Sequence, residues 1–467
     1  MISFDEITIN SLNDYDNLQI GKISELIDEE TIKILKRYIG TKATRIIIEY
    51  PYYDSEYLSN YYNHYSQKFK HYPKECCRLH IENHENHLGY ITLRPTAHGT
   101  KIGKTFLSPD AFVNGKAYLM MTDFTAHVLG QRLPISCFPW KKQEVDISCC
   151  AHTATWTVLK YFGNRNKNYS DTSIGEIVEK TKNDWGRKTP TMGLTPVQVS
   201  DILKEYGFSP IIIGKKNKHS IDEILAYIES GLPIVLFLNM TPENHAISLI
   251  GHGEVDLDLI GDSVIEADSG VILSSKLIKS VYAMDDRLFP YIKVPKGLPD
   301  SQSGVDYGLY QFDYAVVPLH ARMQLSYKDV YSKMIAWAND PGFSFGEHPV
   351  CRIYITSSKS VKEHAFKNDS MNEELRNIIL SLSMPRFVWC IDFADTASYK
   401  AGKTTGRIII DSTSATLEEE PWILKHNVNI VHYRDFDDHC KEYRKVMTIS
   451  PYNMYVHNLR LVEGDTE

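Results

Sequence analysis

QEVDISCCAHTATWTVLKYFG, residues Gln143–Gly163, decides how the chain is read. A glutamine precedes an adjacent cysteine pair. The pair opens a run in which Ala151, Ala154, Val158, Leu159 and Phe162 recur at helical spacing. This predicts an amphipathic helix with one buried face and Cys150 at or near its N-terminus. Unpaired backbone N–H groups and the positive end of the helix dipole favour an anion there, here a thiolate. Cysteines at a helix start are by themselves ordinary core residues. Chemistry needs a base, an orienting acid and an oxyanion donor from elsewhere in the chain.

At 467 residues the chain has room for two or three domains. With 43% hydrophobic and 24% charged residues it has the composition of a globular protein. A formal net charge of −8 argues against a nucleic-acid partner, which needs clustered Lys and Arg. The first residues, MISFDEITINSLNDYDNLQIGK, lack the basic start and apolar core of a secretory signal, and no apolar run has membrane-spanning length. Eight sparse cysteines do not form a disulfide framework. The expectation is a reducing, cytoplasmic setting without membrane association.

Three units are expected, over residues 1–130, 131–318 and 319–467. In the first, Glu30–Tyr38 reads as a helix, Thr44–Tyr50, Leu88–Pro95 and 102–107 as strands, and the tyrosine-rich stretch Tyr50–Tyr72 as a helical packing surface. In the second, Thr195-Pro196 starts a helix reaching Tyr206, and Asp222–Glu229 forms another. Strands then follow at Pro233–Leu238, Ala246–Ile250, Ser263–Ile265, Val281–Met284 and Tyr291–Val294. Helices first and sheet afterwards is an α+β arrangement. Residues 295–309, rich in Pro, Gly, Ser and Asp, mark a boundary. The last unit offers helices at Tyr327–Asn339 and Met371–Leu382 and strands at Tyr314–Leu319, Phe387–Phe393 and Gly406–Asp411, but no catalytic constellation.

His245, at the start of the strand HAISLIGHG, can face a helix N-terminus packed on its sheet. The motifs around Cys150 and His245 resemble those of bacterial papain-like cysteine peptidases, in the style of the double-glycine peptidases that process bacteriocin leaders. In that family an Asp-Cys-Gly segment leads to a Tyr-Tyr-Gly helix end, matched here by Cys150 and by Leu159-Lys160-Tyr161-Phe162-Gly163. HAISLIGHG is similar to the family's histidine strand. A group of uncharacterised bacterial proteins with the same core shares further motifs with Gly89–Pro95, Ile102–Thr105, Gln143 to Ala151, and Asp285–Tyr291. The chain departs from the double-glycine pattern in having Cys149 for Asp and Ala151 for Gly.

The resemblance implies a papain-like core, a helical part plus an antiparallel sheet, flanked by α+β N- and C-terminal domains. Cys150 is the expected nucleophile, because Ala151, Ala154 and Gly163 then match the helix without a shift. Cys149 remains open, since its separation from Gln143 is the one papain uses. His245 is the expected general acid and base, and Gln143 the oxyanion donor. The orienting acid is expected to be Asp285, with Asp268 and Asp286 as alternatives. His152 lies about 200° around the helix from Cys150 and should not serve it. No metal or cofactor is expected: Cys149, Cys150 and His152 lack zinc-ligand spacing, and Cys76, Cys77 and His80 read as strand packing.

The expected reaction is cleavage of a peptide or isopeptide bond in a peptide or protein through a thioester. The alternatives are a transglutaminase-like acyl transfer and a non-catalytic peptide-binding module. The flanking units are expected to hold a regulatory protein partner or gate the cleft.

Overall fold

The computed structural model describes residues 3–19, 23–84, 86–96, 101–144, 147–181, 193–241, 243–261, 264–299, 304–340, 343–435, 441–456 and 458–464. Helix and sheet are mixed, and three larger sheets organise the chain. The N-terminal sheet has six antiparallel strands, Ser3–Thr8, Arg45–Tyr52, Cys76–Asn83, Asn86–Leu93, Ile102–Leu107 and Trp140–Lys141, in that order. The central sheet runs Ile211–Gly214, Phe312–Val317, Ile234–Leu238, His245–Gly253, Ser280–Met284, Ile292–Pro295, all antiparallel. The C-terminal sheet has seven strands, from Ile272–Leu273 and Val350–Ser357 to Lys441–Val446.

Sheet membership does not follow the cuts read at 130/131 and 318/319. Lys116–Leu119 pairs with the central His245–Gly253 strand, and Arg460–Glu463, near the chain's end, pairs with Lys116–Leu119. Trp140–Lys141 closes the N-terminal sheet, and Ile272–Leu273 joins the C-terminal one. Such long-range pairings leave no local pattern in a sequence. The strand expected at Ser263–Ile265 falls partly outside the described residues, and Ile265 makes only an isolated bridge to Ile272.

The Cys150–Arg165 helix corrects the expected single buried face: every residue from Ala151 to Leu159 is buried, as are Tyr161 and Phe162. A helix enclosed on all sides is a core element. Its β-branched and polar positions are accommodated internally. Thr155 and Thr157 donate their hydroxyls to the carbonyls of Ala151 and Thr153, both at 2.7 Å. At the far end a Cβ on Gly163 would come 3.0 Å from the Ser170 carbonyl oxygen, a tight approach to the returning chain. On the sheet, a Cβ on Gly251 would lie 2.1 Å from the Tyr118 carbonyl oxygen. That glycine lets Lys116–Leu119 approach the histidine strand. Among the described residues no helix is long and apolar enough to cross a membrane.

Candidate active site

Cys150 is the first residue of its helix, and Cys149, in extended backbone, is the N-cap. The N–H groups of His152 and Thr153 are taken by the Cys149 carbonyl. Those of Cys150 and Ala151 precede the helical ladder, as first-turn donors do. Both cysteines are half-buried. The thiols differ in setting: burial, then the proximity of Cys150, Asp286 and Glu243, pushes Cys149 up to about 11.

His245 opens its strand opposite Leu238. One hydrogen bond, from Ser248 Oγ to the Ala154 carbonyl at 3.0 Å, pins this strand to the cysteine helix. On the other side Ser248 pairs with Met284. Continuing that register places Asp285 opposite Ile247, whose side chain shares a sheet face with His245 two residues away. His245 Nε2 lies 2.8 Å from Asp285 Oδ1. The remaining capacity of Asp285 is filled by the Tyr307 hydroxyl at 2.5 Å and the Arg287 N–H at 2.8 Å, while its carbonyl accepts from Trp140 Nε1 at 2.8 Å. Burial raises the Asp285 pKa, but His245, Tyr307 and Arg287 together bring it below the usual carboxylate value.

The second ring nitrogen, Nδ1, is buried and makes no hydrogen bond of regular geometry. Burial disfavours the charged ring. Hydrogen bonding to Asp285 and to Cys150, with the charges of Asp285 and Asp286, outweighs it and His245 is pushed up to about 10. The Cys150 side chain thus lies close enough to act on His245 alongside Asp285. An imidazolium held by a carboxylate beside a thiol is suited to moving a proton between sulfur and a leaving group.

Asp286 is 4% exposed, and its nearer oxygen is 3.8 Å from His245 Nε2. Neither of its oxygens has a hydrogen-bond partner, and burial pushes it up to about 7 despite the histidine. Asp268, the other alternative acid, is exposed, and its carbonyl accepts from Asn339 Nδ2. It is not part of the His245–Asp285–Asp286 cluster. Spacing alone suggested it as a strand-end acid; it sits in a turn, within electrostatic reach of Tyr331.

Gln143 is half-buried on the segment leading to the cysteines. Its carbonyl accepts from Arg94 Nη2 at 2.6 Å, and the same nitrogen reaches the Lys142 carbonyl at 3.2 Å. Glu144 holds Arg94 Nη1 at 3.3 Å and accepts from Asn60 at 2.7 Å. The Lys142 ammonium is within electrostatic reach of Asp286 and Asp285, so this segment borders the histidine side of the site.

Sequence reasoning missed two contributors. Arg94 was visible only as part of a strand and of the shared Gly89–Pro95 motif, with no role read for it, and Tyr307 lies in the stretch read as a boundary. His152 is buried away from this site, and burial brings it down to about 4. Among the described residues, Cys149, Cys150 and His152 form no metal-ligand cluster. His80 bonds Glu49 and His87 within its sheet, next to buried Cys76 and Cys77. His245, Asp285 and Asp286 offer ligand atoms within 4.8 Å of one another, but Asp285 is saturated by donors. His219, Asp222 and Glu266 also cluster, and Lys276 fills that cluster at 3.1 Å from Asp222 and 3.4 Å from Glu266.

The site thus combines a half-buried thiol at a helix start with a histidine held by a carboxylate. Residues 133–284 match the model of the Peptidase_C39 like family. The match spans Gln143, both cysteines and His245, and supports a C39-type cysteine peptidase, hence a hydrolase. No curated protein matched the chain, and no solved structure did.

Proposed function

We propose that the chain is a cysteine hydrolase with a papain-like core that cleaves a peptide or isopeptide bond in a peptide or protein. Cys150 is the nucleophile, His245 its proton carrier, Asp285 the residue orienting His245, and Gln143 a donor to the oxyanion. The observation that carries this reading is the hydrogen bond from His245 Nε2 to Asp285, on a histidine that Cys150 also influences.

In the first half-reaction the Cys150 sulfur, its proton passed to His245, attacks the carbonyl carbon. The oxyanion is met by the Cys150 backbone N–H and the Gln143 side-chain amide. His245 then protonates the departing amine, leaving a thioester on Cys150. In the second half-reaction His245 takes a proton from water, hydroxide adds to the thioester, and the acid product leaves as the thiol regains its proton. Asp285 keeps the ring oriented through both halves.

The test is incubation of the full chain with a proteome-derived peptide library, with products read by mass spectrometry. New peptide termini with wild type and none with Cys150→Ala uphold the reading. Equal products from both proteins reject it.

A further inference from the structure

We propose that the junction between the central and C-terminal sheets holds a binding site for a phosphate-bearing small molecule of nucleotide size. The site lies at the Arg165 end of the cysteine helix. A 16-residue helix is about 24 Å long, so it is well removed from Cys150.

Two cavities of about 240 and about 520 Å³ lie here and share Asn166, His320, Arg386 and Phe387 in their walls. Together they fall in the usual size range of ligand pockets, roughly 300–1,000 Å³. Arg165 lines the first, Arg322 the second, and Arg386 both. No carboxylate lines either cavity among the described residues. Among the described residues none of the three arginines forms a direct ion pair; Arg165 donates to the Met121 carbonyl at 3.1 Å and lies within electrostatic reach of Asp123, in a chain whose net charge is −8. With the Asn168 amide turned so that its oxygen faces Arg386, that oxygen accepts from both terminal nitrogens at 2.6 and 2.9 Å, a neutral partner. That contact fixes the guanidinium without cancelling its charge.

The local helix dipoles do not overturn this balance. The Cys150–Arg165 helix brings its negative end, worth about half a charge. The Ser358–Lys367 helix brings its positive end, with Ser357 and Ser360 lining the first cavity. The two half-charges offset each other, and with Asp123 answering part of the Arg165 charge, those of Arg322 and Arg386 remain in full. Arginine forks match phosphate oxygens in geometry, and several of them select a multivalent anion over a single carboxylate. Beside them His320 stacks on Phe387 with centroids 3.9 Å apart and planes 3° apart. The Tyr169 hydroxyl holds His320 Nδ1 at 2.7 Å, so this wall of flat rings is fixed in place. A flat aromatic base beside a phosphate chain fits such a wall.

The experiment is isothermal titration of the full-length protein with adenosine triphosphate, pyrophosphate and adenosine in separate arms. The triphosphate is expected to bind saturably, pyrophosphate more weakly, and adenosine not at all. Arg386→Ala and Arg165→Ala, both at exposed positions, should each weaken triphosphate binding by about tenfold or more. Thermal melts of the variants show that they fold, and Cys150→Ala should bind as wild type does. Equal affinity for pyrophosphate and triphosphate upholds the anion site and assigns the affinity to phosphate alone. No saturable binding up to millimolar phosphate ligand, or binding that both arginine variants retain in full, overturns the proposal. The result is independent of whether the thiol is catalytic.

Discussion

Two buried charge clusters of this molecule are equally enclosed and differently completed. In the C-terminal sheet Arg407 is 1% exposed and Asp392 4%; at the thiol site Asp285 is 1% exposed and Asp286 4%. Arg407 donates to both oxygens of Asp392, at 2.6 and 2.9 Å, and Tyr354 donates a third bond at 2.9 Å. The pair spans paired strands, and each charge is answered. Near the thiol, Asp285 is answered in the same way, yet the adjacent Asp286 has no hydrogen-bond partner and reaches His245 only at 3.8 Å, and His245 Nδ1 has no hydrogen bond of regular geometry. A completed cluster stabilises a unique packing. An incomplete one costs stability and persists where it serves chemistry. The contrast can be broken or sharpened at four positions.

The largest expected effect is at Asp285. Asp285→Asn keeps the shape but loses the charge and the imposed ring tautomer, and turnover should fall on the order of 10⁴-fold. Steady-state kinetics on a peptide substrate checks this; an unchanged rate would remove Asp285 from the site. Next comes Arg407→Met, which leaves Asp392 buried without its cation. It should cost about 3–5 kcal/mol in denaturant unfolding while the alkylation rate of Cys150 stays the same. Should that rate collapse as well, the two clusters are not separate.

Gln143→Ala should slow turnover by about 10²–10³-fold, about 3–4 kcal/mol of barrier, because an oxyanion donor is lost. Alkylation by iodoacetamide forms no oxyanion, so its rate should hold; parallel losses would make Gln143 a structural residue only.

The smallest effect is at Asp286, and its sign is opposite. Its pKa rises from 3.8 unfolded to about 7 folded, so the folded chain keeps a proton that the unfolded chain releases between these values. Stability from this group is therefore present below pH 4 and is lost as pH rises to 7. Asp286→Asn should raise stability by about 1–4 kcal/mol at pH 8 and change it little at pH 4. Destabilisation at pH 8 would mean that Asp286 has a partner after all.

The sequence made the cysteine helix and histidine strand legible because both are local patterns closed by glycines. Gly251 stands where neighbouring backbone leaves no room for a Cβ, and Gly163 where a Cβ would be tight against the returning chain. Asp285 was legible through its place at the end of the next strand. The choice between Cys149 and Cys150 was legible only in part, since the helix pattern fits Cys150 without a shift while the spacing from Gln143 points to Cys149. Arg94 and Tyr307 were hidden for another reason. Arg94 is 49 residues from the carbonyl it holds at Gln143, and Tyr307 is 22 from Asp285; a hydrogen bond over such spans imposes no periodicity. The strands Lys116–Leu119 and Arg460–Glu463, which complete the central sheet from distant segments, escaped notice likewise.

The central claim is that the Cys150 sulfur is activated by His245. Labelling the native protein at neutral pH with a peptide-like electrophile, followed by mass spectrometry of the modified cysteine, tests it directly when repeated on His245→Ala. The account predicts modification at Cys150 in the wild type and loss of that labelling in the variant. Modification at Cys149, or equal labelling of Cys150 in both proteins, would contradict it.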